Sequence, residues 1–208
     1  MTASPDAPAL GTFWLLRLDS ISVNMVEPRV PTTFLRMRTD EASVLAQTMD
    51  RPEVEQRITA GKRCYVALVE GKLAAYGWAT FDQEAIGELG LLVHLKPGEA
   101  YIWDCVTLPE YRGLRLYPAL LAYIARDLQA EGFQHVWIGA NADNVASQSG
   151  MRQVGFVPIA DVTADSELGI SRLWLRGQPG VSEQLVRDAG YALFGDATAA
   201  YKDIMKKE

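Results

Sequence analysis

The period of apolar and polar positions changes several times along the chain, and each change marks an element. Thr12 to Leu18 (TFWLLRL) and Thr32 to Met37 (TTFLRM) are β-branched and aromatic runs separated by Pro28 and Pro31, which reads as two strands. From Asp40 the spacing becomes helical through Ala42, Leu45, Ala46 and Met49, and Pro52 opens a second short helix ending near Gly61. Arg63 to Val69 (RCYVALV) and Lys72 to Phe81 (KLAAYGWATF) flank Glu70-Gly71, a turn of hairpin length, so an antiparallel pair is expected. Leu89 to Leu95 and Ala100 to Leu108 repeat the arrangement across Lys96-Pro97-Gly98-Glu99, whose Pro-Gly core favours a tight turn, and predict a second hairpin.

In the second half, Pro118 to Ala130 places Leu120, Leu121, Ile124 and Leu128 on one helical face, with Gly132 just past the end. His135 to Ala140 is a strand, Asn144 to Val154 a helix stopped by Gly155, and Phe156 to Val162 another strand; this order implies a right-handed parallel crossover. Ile170 to Leu175 reads as the last strand. After Gln178-Pro179-Gly180, a helical tail is expected from Ser182 to Lys207, with Leu185, Ala189, Ala192 and Leu193 as its apolar face and Lys202, Lys206 and Lys207 at a solvated end. The expected organisation is an N-terminal extension over residues 1–30, a mixed α/β domain over 31–177, and a tail over 178–208 that packs on the same domain or on a partner subunit of a homodimer.

Composition narrows the function classes. A length of 208 residues with 49% hydrophobic and 22% charged residues suits one well-filled core. The net charge of −6 argues against a long phosphate-neutralising surface, so no nucleic acid partner is expected. Cys64 and Cys105 lack the close spacing of a zinc site or a disulfide framework, which fits a reducing cytoplasm. No apolar run approaches the ~20 residues of a membrane helix, and Met1 to Leu10 lacks a basic flank followed by an apolar stretch, so neither membrane insertion nor export is expected.

Candidate chemistry sits where a strand ends in Thr107-Leu108-Pro109, a short turn carries Arg112 and Gly113, and a helix starts around Pro118. Unpaired N–H groups at a helix start, the helix dipole and a forked arginine donor together make an anion site. Downstream, Gly139-Ala140-Asn141 ends the next strand, and Asn144, Ser147, Gly155 and Phe156 frame the helix after it. His94 and His135 have no carboxylate or Cys at ligand spacing, so no metal is expected. Cys105, in an apolar strand, reads as a core residue, and so do Trp78, Trp103, Trp137 and Trp174.

The runs TLPEYRG (Thr107 to Gly113) and NVASQSGMRQVGF (Asn144 to Phe156) resemble the GCN5-related N-acetyltransferase (GNAT) superfamily. Thr107, Pro109, Arg112, Gly113, Asn144, Ser147, Gly155 and Phe156 fall on that family's positions, and the order of hairpins and helices agrees from about Thr32 to Leu175. The resemblance implies an acyl-CoA N-acyltransferase fold: a mixed, mostly antiparallel central sheet with a parallel, splayed strand pair and flanking helices. It implies acetyl-CoA (coenzyme A) as co-substrate and an amine acceptor, a small molecule or peptide, attacking the thioester directly. A longer acyl donor, or a module that binds or senses CoA without turnover, are the alternatives. Implied CoA-binding residues are Cys105, Val106, Thr107, Arg112, Gly113, Leu114, Arg115, Leu116, Tyr117, Asn144 and Ser147, with a backbone N–H of Val106 or Thr107 polarising the thioester.

Three positions bear on how that chemistry would run. Arg115 and Tyr117 stand where the family carries glycine-like residues, and Arg115 is expected to offer its side chain to a CoA phosphate. Met151 stands where many members carry a tyrosine thought to protonate the departing thiolate, which leaves Tyr117, Ser147, water or no acid at all. Asp104 is the candidate base for the acceptor ammonium, with Glu88 and Glu99 also near the expected acceptor side. The acceptor pocket is expected from the first helices, the Asp82 to Gly87 turn and the loop near Asp165.

Overall fold

The structure is a computed structural model that describes residues 8–20, 23–87, 89–167, 170–199 and 201–205. In chain order the elements are β1 (Ala9–Arg17), β2 (Thr33–Arg36), a 3-10 helix (Thr39–Leu45), α1 (Arg51–Thr59), β3 (Arg63–Val69), β4 (Lys72–Thr80), β5 (Gln83–Ile86), β6 (Leu91–His94) and β7 (Glu99–Thr107). A 3-10 turn (Pro109–Tyr111) then leads to α2 (Leu116–Ala130), β8 (His135–Asn141), α3 (Val145–Val154), β9 (Val157–Glu167), β10 (Ile170–Gly177), α4 (Glu183–Phe194) and β11 (Tyr201–Met205). Among the described residues nine strands form one sheet in the order β11-β10-β9-β1-β8-β7-β4-β3-β2, and β5 and β6 pair separately. All neighbours in the large sheet are antiparallel except β7 and β8.

Local chemistry sets these boundaries. Glu70 and Gly71 both take positive φ, 51° and 75°, as a two-residue hairpin turn between right-twisted strands requires. The Asp50 side chain accepts from the Glu53 N–H at 2.9 Å to cap α1, and Asn144 accepts from the Ser147 N–H at 3.0 Å to cap α3. The left-handed Gly155 closes α3. Helix α2 begins at Leu116, two residues before the expected start. Pro118 is tolerated there because a first-turn N–H has no intrahelical partner.

The centre of the sheet is buried on both faces. Trp14 and Leu16 of β1 join Ala100, Ile102, Val136 and Ile138 in a core under α2 and α3, while Phe13 and Leu15 join Tyr101, Trp137, Ile159 and Leu193 under α4. The remaining part of that second face, Cys64, Val66, Tyr76 and Trp78, is covered by Leu45 and Val54 from the 3-10 helix and α1. A run such as TFWLLRL is apolar at successive positions for this reason: its strand has no solvent face. Among the described residues no helix is long and apolar enough to cross a membrane.

Two expected elements differ. The second hairpin is β5–β6 across Gly87 to Gly90, not β6–β7, and β7 pairs instead with β4 and β8. β6 has only Leu91 and Val93 buried, whereas β7 opens with four successive buried residues and takes a central place with a strand on each side. The tail is not one helix. Ser182 caps α4, the left-handed Gly195 ends it, and Tyr201–Met205 pairs antiparallel with β10. Lys202 therefore lies on a strand; Lys206 and Lys207 lie outside the described residues.

Candidate active site

Strands β7 and β8 pair in parallel only from Glu99 opposite His135 to Ile102 opposite Ile138. Beyond that point they splay. A β-bulge accompanies the divergence: Tyr76 opposes Val106 and Trp78 opposes Trp103, so β7 carries one residue more than β4 across this interval. Asp104 lies in the bulge at φ 45°, a left-handed conformation that Asp tolerates better than most residues, and Cys105 turns its sulfur onto Gly77. A Cβ at Gly77 would lie 2.9 Å from that sulfur, so only glycine lets the two strands close here.

The splay opens a cavity of about 900 Å³. From β7 it is lined by Asp104, Cys105, Val106 and Thr107; from the loop and α2 by Arg112, Gly113, Arg115, Leu116 and Tyr117; from α3 by Asn144, Ser147, Gly150 and Gln153. Of the eleven CoA-binding positions expected from sequence, the cavity gathers ten. Leu114 is the exception: its side chain packs on the core, and its carbonyl accepts from the Arg29 N–H at 2.9 Å.

The loop into α2 keeps its donors exposed. Gly113 takes φ 80° and Arg115, the N-cap, takes φ 59° with no side-chain capping bond, so the first N–H groups of α2, on residues that line the cavity, have no acceptor from a capping side chain. Arg112 and Arg115 are exposed beside them; Arg112 Nε lies 3.4 Å from the Thr107 carbonyl, and Arg115 donates to Gln153 Oε1 at 3.0 Å. Tyr117 reaches across to α3, where its hydroxyl meets the Ser147 hydroxyl at 2.8 Å. Burial pushes its phenol upward, so it stays neutral. Its ring rests on Gly150, where a Cβ would stand 2.6 Å from a ring carbon. Met151 is fully buried in the core beneath α2 and α3.

Asp104 is held from outside the cleft. Arg57 of α1 donates to its Oδ2 at 2.5 Å and to Glu53 at 2.7 Å, while the guanidinium lies over the rings of Trp103 and Trp78 at 4.5 and 5.1 Å. Its other carboxylate oxygen makes no hydrogen bond among the described residues, and Asp104 is one of the residues that line the cavity. Burial pushes the Cys105 thiol up to about 12, so it remains a neutral S–H in this wall and is no nucleophile.

A model of the acetyltransferase (GNAT) family matches residues 32–156, more than half of the chain and both walls of the splay. The chain belongs to that family. Among solved structures, a GNAT-family acetyltransferase from Colwellia psychrerythraea is similar at a TM-score of 0.53 and 12% identity, covering 84% of this chain and 58% of that one. A Drosophila protein is similar at 0.52 and 12% identity, covering 81% of this chain and 50% of that one. An aminoglycoside N-acetyltransferase in complex with CoA follows at 0.47 and 14% identity, with 60% and 91% covered. At such identities the likeness is one of fold, and the chain spans about half the length of the Drosophila protein. Curated protein sequences return no match.

Within this GNAT fold the remaining candidates separate. Glu99 sits where β7 and β8 are still paired, buried against the Lys96 N–H at 3.0 Å and His135 at 3.4 Å, away from the cavity wall. It serves the strand start, not the cleft. Glu88 and the side chain of Asp165 lie outside the described residues. The 3-10 helix and α1 do not line the cavity; α1 acts on it only through Arg57. Trp78, Trp137 and Trp174 are buried, and Trp103 is the one of the four that also lines the cavity. Among the described residues no three His, Cys, Asp or Glu side chains gather as a metal site. Sequence reasoning missed Arg57, the β1 residues Leu10 to Phe13, and Leu193 of α4, which all reach the site from distant segments.

Proposed function

We propose that this chain is an acetyl-CoA-dependent N-acetyltransferase that passes the acetyl group directly to a primary amine. The observation that carries the proposal is the splayed β7–β8 pair with the uncapped start of α2 at its mouth. Ten expected CoA-binding residues line one cavity there, which fits a co-substrate with a phosphorylated end and a long amide arm. The N–H groups around Gly113 to Tyr117, with Arg112 and Arg115, hold the pyrophosphate. Asn144 orders α3 as the opposite wall.

Backbone alternation supports a position for the thioester end. The Leu108 N–H donates to the Ala74 carbonyl on β4, so the preceding N–H, that of Thr107, points the other way, into the cleft. Thr107 rather than Val106 therefore donates to the thioester oxygen as negative charge develops. An acceptor amine of pKa near ~10 arrives mostly as ammonium. Asp104, fixed by Arg57, receives its proton directly or through water, and the freed nitrogen lone pair attacks the carbonyl carbon. The C–S bond then breaks and CoA leaves as thiolate. The Tyr117 hydroxyl is engaged with the Ser147 hydroxyl at 2.8 Å, and burial pushes its phenol up, which makes it a weaker acid than an ordinary tyrosine. Solvent protonates the thiolate, and Tyr117 serves as wall.

The direct test is thiol release from acetyl-CoA over a panel of amines, with the N-acetylated product quantified in parallel. Amine-dependent release matched by product supports transfer; tight CoA binding with no release for any amine makes the chain a CoA-binding module instead. A binding titration checks the mouth. Arg112→Ala is expected to weaken acetyl-CoA binding about tenfold, the scale of one charge-assisted phosphate contact. An unchanged Kd would remove Arg112 from the phosphate site.

A further inference from the structure

The cleft continues beyond what acetyl-CoA requires. Past Asp104 it passes through the splay to the other face of the sheet, where Leu10 and Phe13 of β1, Ile86 and Leu89 of the β5–β6 hairpin, Trp103 and Leu193 of α4 form its wall. Two of these side chains are firmly packed. Phe13 stacks on Trp137 with centroids 4.9 Å apart and planes 9° from parallel, and Leu193 is 1% exposed. Leu10, Phe13 and Leu193 come from segments outside the family match.

Charge is confined to fixed places. Among the described lining residues Asp104 is the only carboxylate, and the two cations, Arg112 and Arg115, stand at the opposite, phosphate end. Asp161, beside β1, is already committed to the Thr12 hydroxyl at 2.8 Å, Gln178 at 2.6 Å and Arg176 at 3.3 Å. A second charge on the acceptor would thus lose its water without gaining a partner among the described lining residues.

Resting on the N-acetyltransfer reading above, we infer that the acceptor is a primary amine on an uncharged alkyl or aryl body. Its ammonium meets Asp104 at the junction, and its body lies against Phe13, Ile86, Leu89, Trp103 and Leu193. An extended acyl chain of the donor would also fill apolar space, but it has no use for a lone carboxylate at the entrance to the chamber. Among the described lining residues Asp104 is the carboxylate that can meet a single ammonium, through the oxygen that Arg57 does not hold.

Matched acceptors test this with the intact protein and saturating acetyl-CoA: hexylamine against hexanediamine, and phenethylamine against phenylalanine. The expected result is a kcat/KM at least about tenfold higher for the member of each pair with the uncharged body. Leu89→Glu, at a half-buried turn position, should reduce the hexylamine preference over the diamine about tenfold, with thermal unfolding of the variant measured alongside. Equal or better use of the diamine and the amino acid by the wild type overturns the inference while leaving N-acetyltransfer in place. So does faster turnover of octanoyl-CoA than acetyl-CoA with no discrimination between paired amines, because the chamber then houses the acyl chain. Thiol release with no amine at all indicts the transfer reading itself.

Discussion

Asp104→Asn is expected to lower kcat for acetyl transfer by about 10²- to 10⁴-fold, the range that positioned general bases contribute. Asparagine preserves size and can still accept a hydrogen bond from Arg57, so the bulge of β7 and the packing of the guanidinium over Trp103 should survive. What disappears is the anion that takes the ammonium proton. Binding of acetyl-CoA should stay within about threefold of wild type, since Asp104 lies on the acceptor side of the thioester, and stability should fall by only about 1 kcal/mol, as one altered hydrogen bond predicts. Two further measurements separate proton transfer from a purely structural role. Activity of the variant should recover as pH rises toward the acceptor's own pKa, where free amine is already present, and Asp104→Glu should restore part of the rate. A kcat within about threefold of wild type at neutral pH would remove Asp104 from the chemistry.

Gly150→Ala should cost about 1–3 kcal/mol of stability, the ordinary penalty of overpacking, and weaken acetyl-CoA binding as well. The new Cβ would lie 2.6 and 2.8 Å from two carbons of the Tyr117 ring, closer than any relaxed contact. Tyr117 must then swing into the cleft, losing the 2.8 Å bond between its hydroxyl and that of Ser147. Chemical denaturation of the single and double variants tests the coupling. In a Tyr117→Ala background the cost of Gly150→Ala should fall below about 0.5 kcal/mol, because the clashing ring is gone. Additive costs would mean that Gly150 is constrained by something other than Tyr117.

That coupling explains a departure visible in the sequence. A bulky residue at position 117 stands where close backbone approach is usual, and glycine at 150 on the facing helix makes the room it needs. Neither residue alone discloses the other, since they are 33 positions apart and meet only when α2 and α3 pack. The turn at Glu70-Gly71, the caps Asp50 and Asn144 and the stop at Gly155 were legible because each is decided within a few residues. The loop from Arg112 to Tyr117 was legible for the same reason: a strand end, a glycine and a helix start are local.

Partner choice was not local. Nothing in Thr12 to Leu18 says that this strand enters between β8 and β9, and a tight Lys96 to Glu99 turn says nothing about whether its flanking strands pair. Gly195 was a visible helix stop that the apolar spacing of the tail obscured. Asp104 could be nominated from its place before Thr107, but the guanidinium that fixes it lies 47 residues upstream, on a helix with no chemical motif. The apolar end of the cavity is the least legible part, because its wall is assembled from β1, the β5–β6 hairpin and α4, segments united only by the folded sheet.

A crystal structure of the protein with CoA bound tests the central claim most directly. The account predicts pyrophosphate oxygens within hydrogen-bonding distance of backbone N–H groups between Gly113 and Tyr117, with the arm along Cys105 to Thr107 and the sulfur between the Thr107 N–H and Asp104. CoA bound anywhere other than the β7–β8 splay, or with its thiol directed away from Thr107, would contradict it.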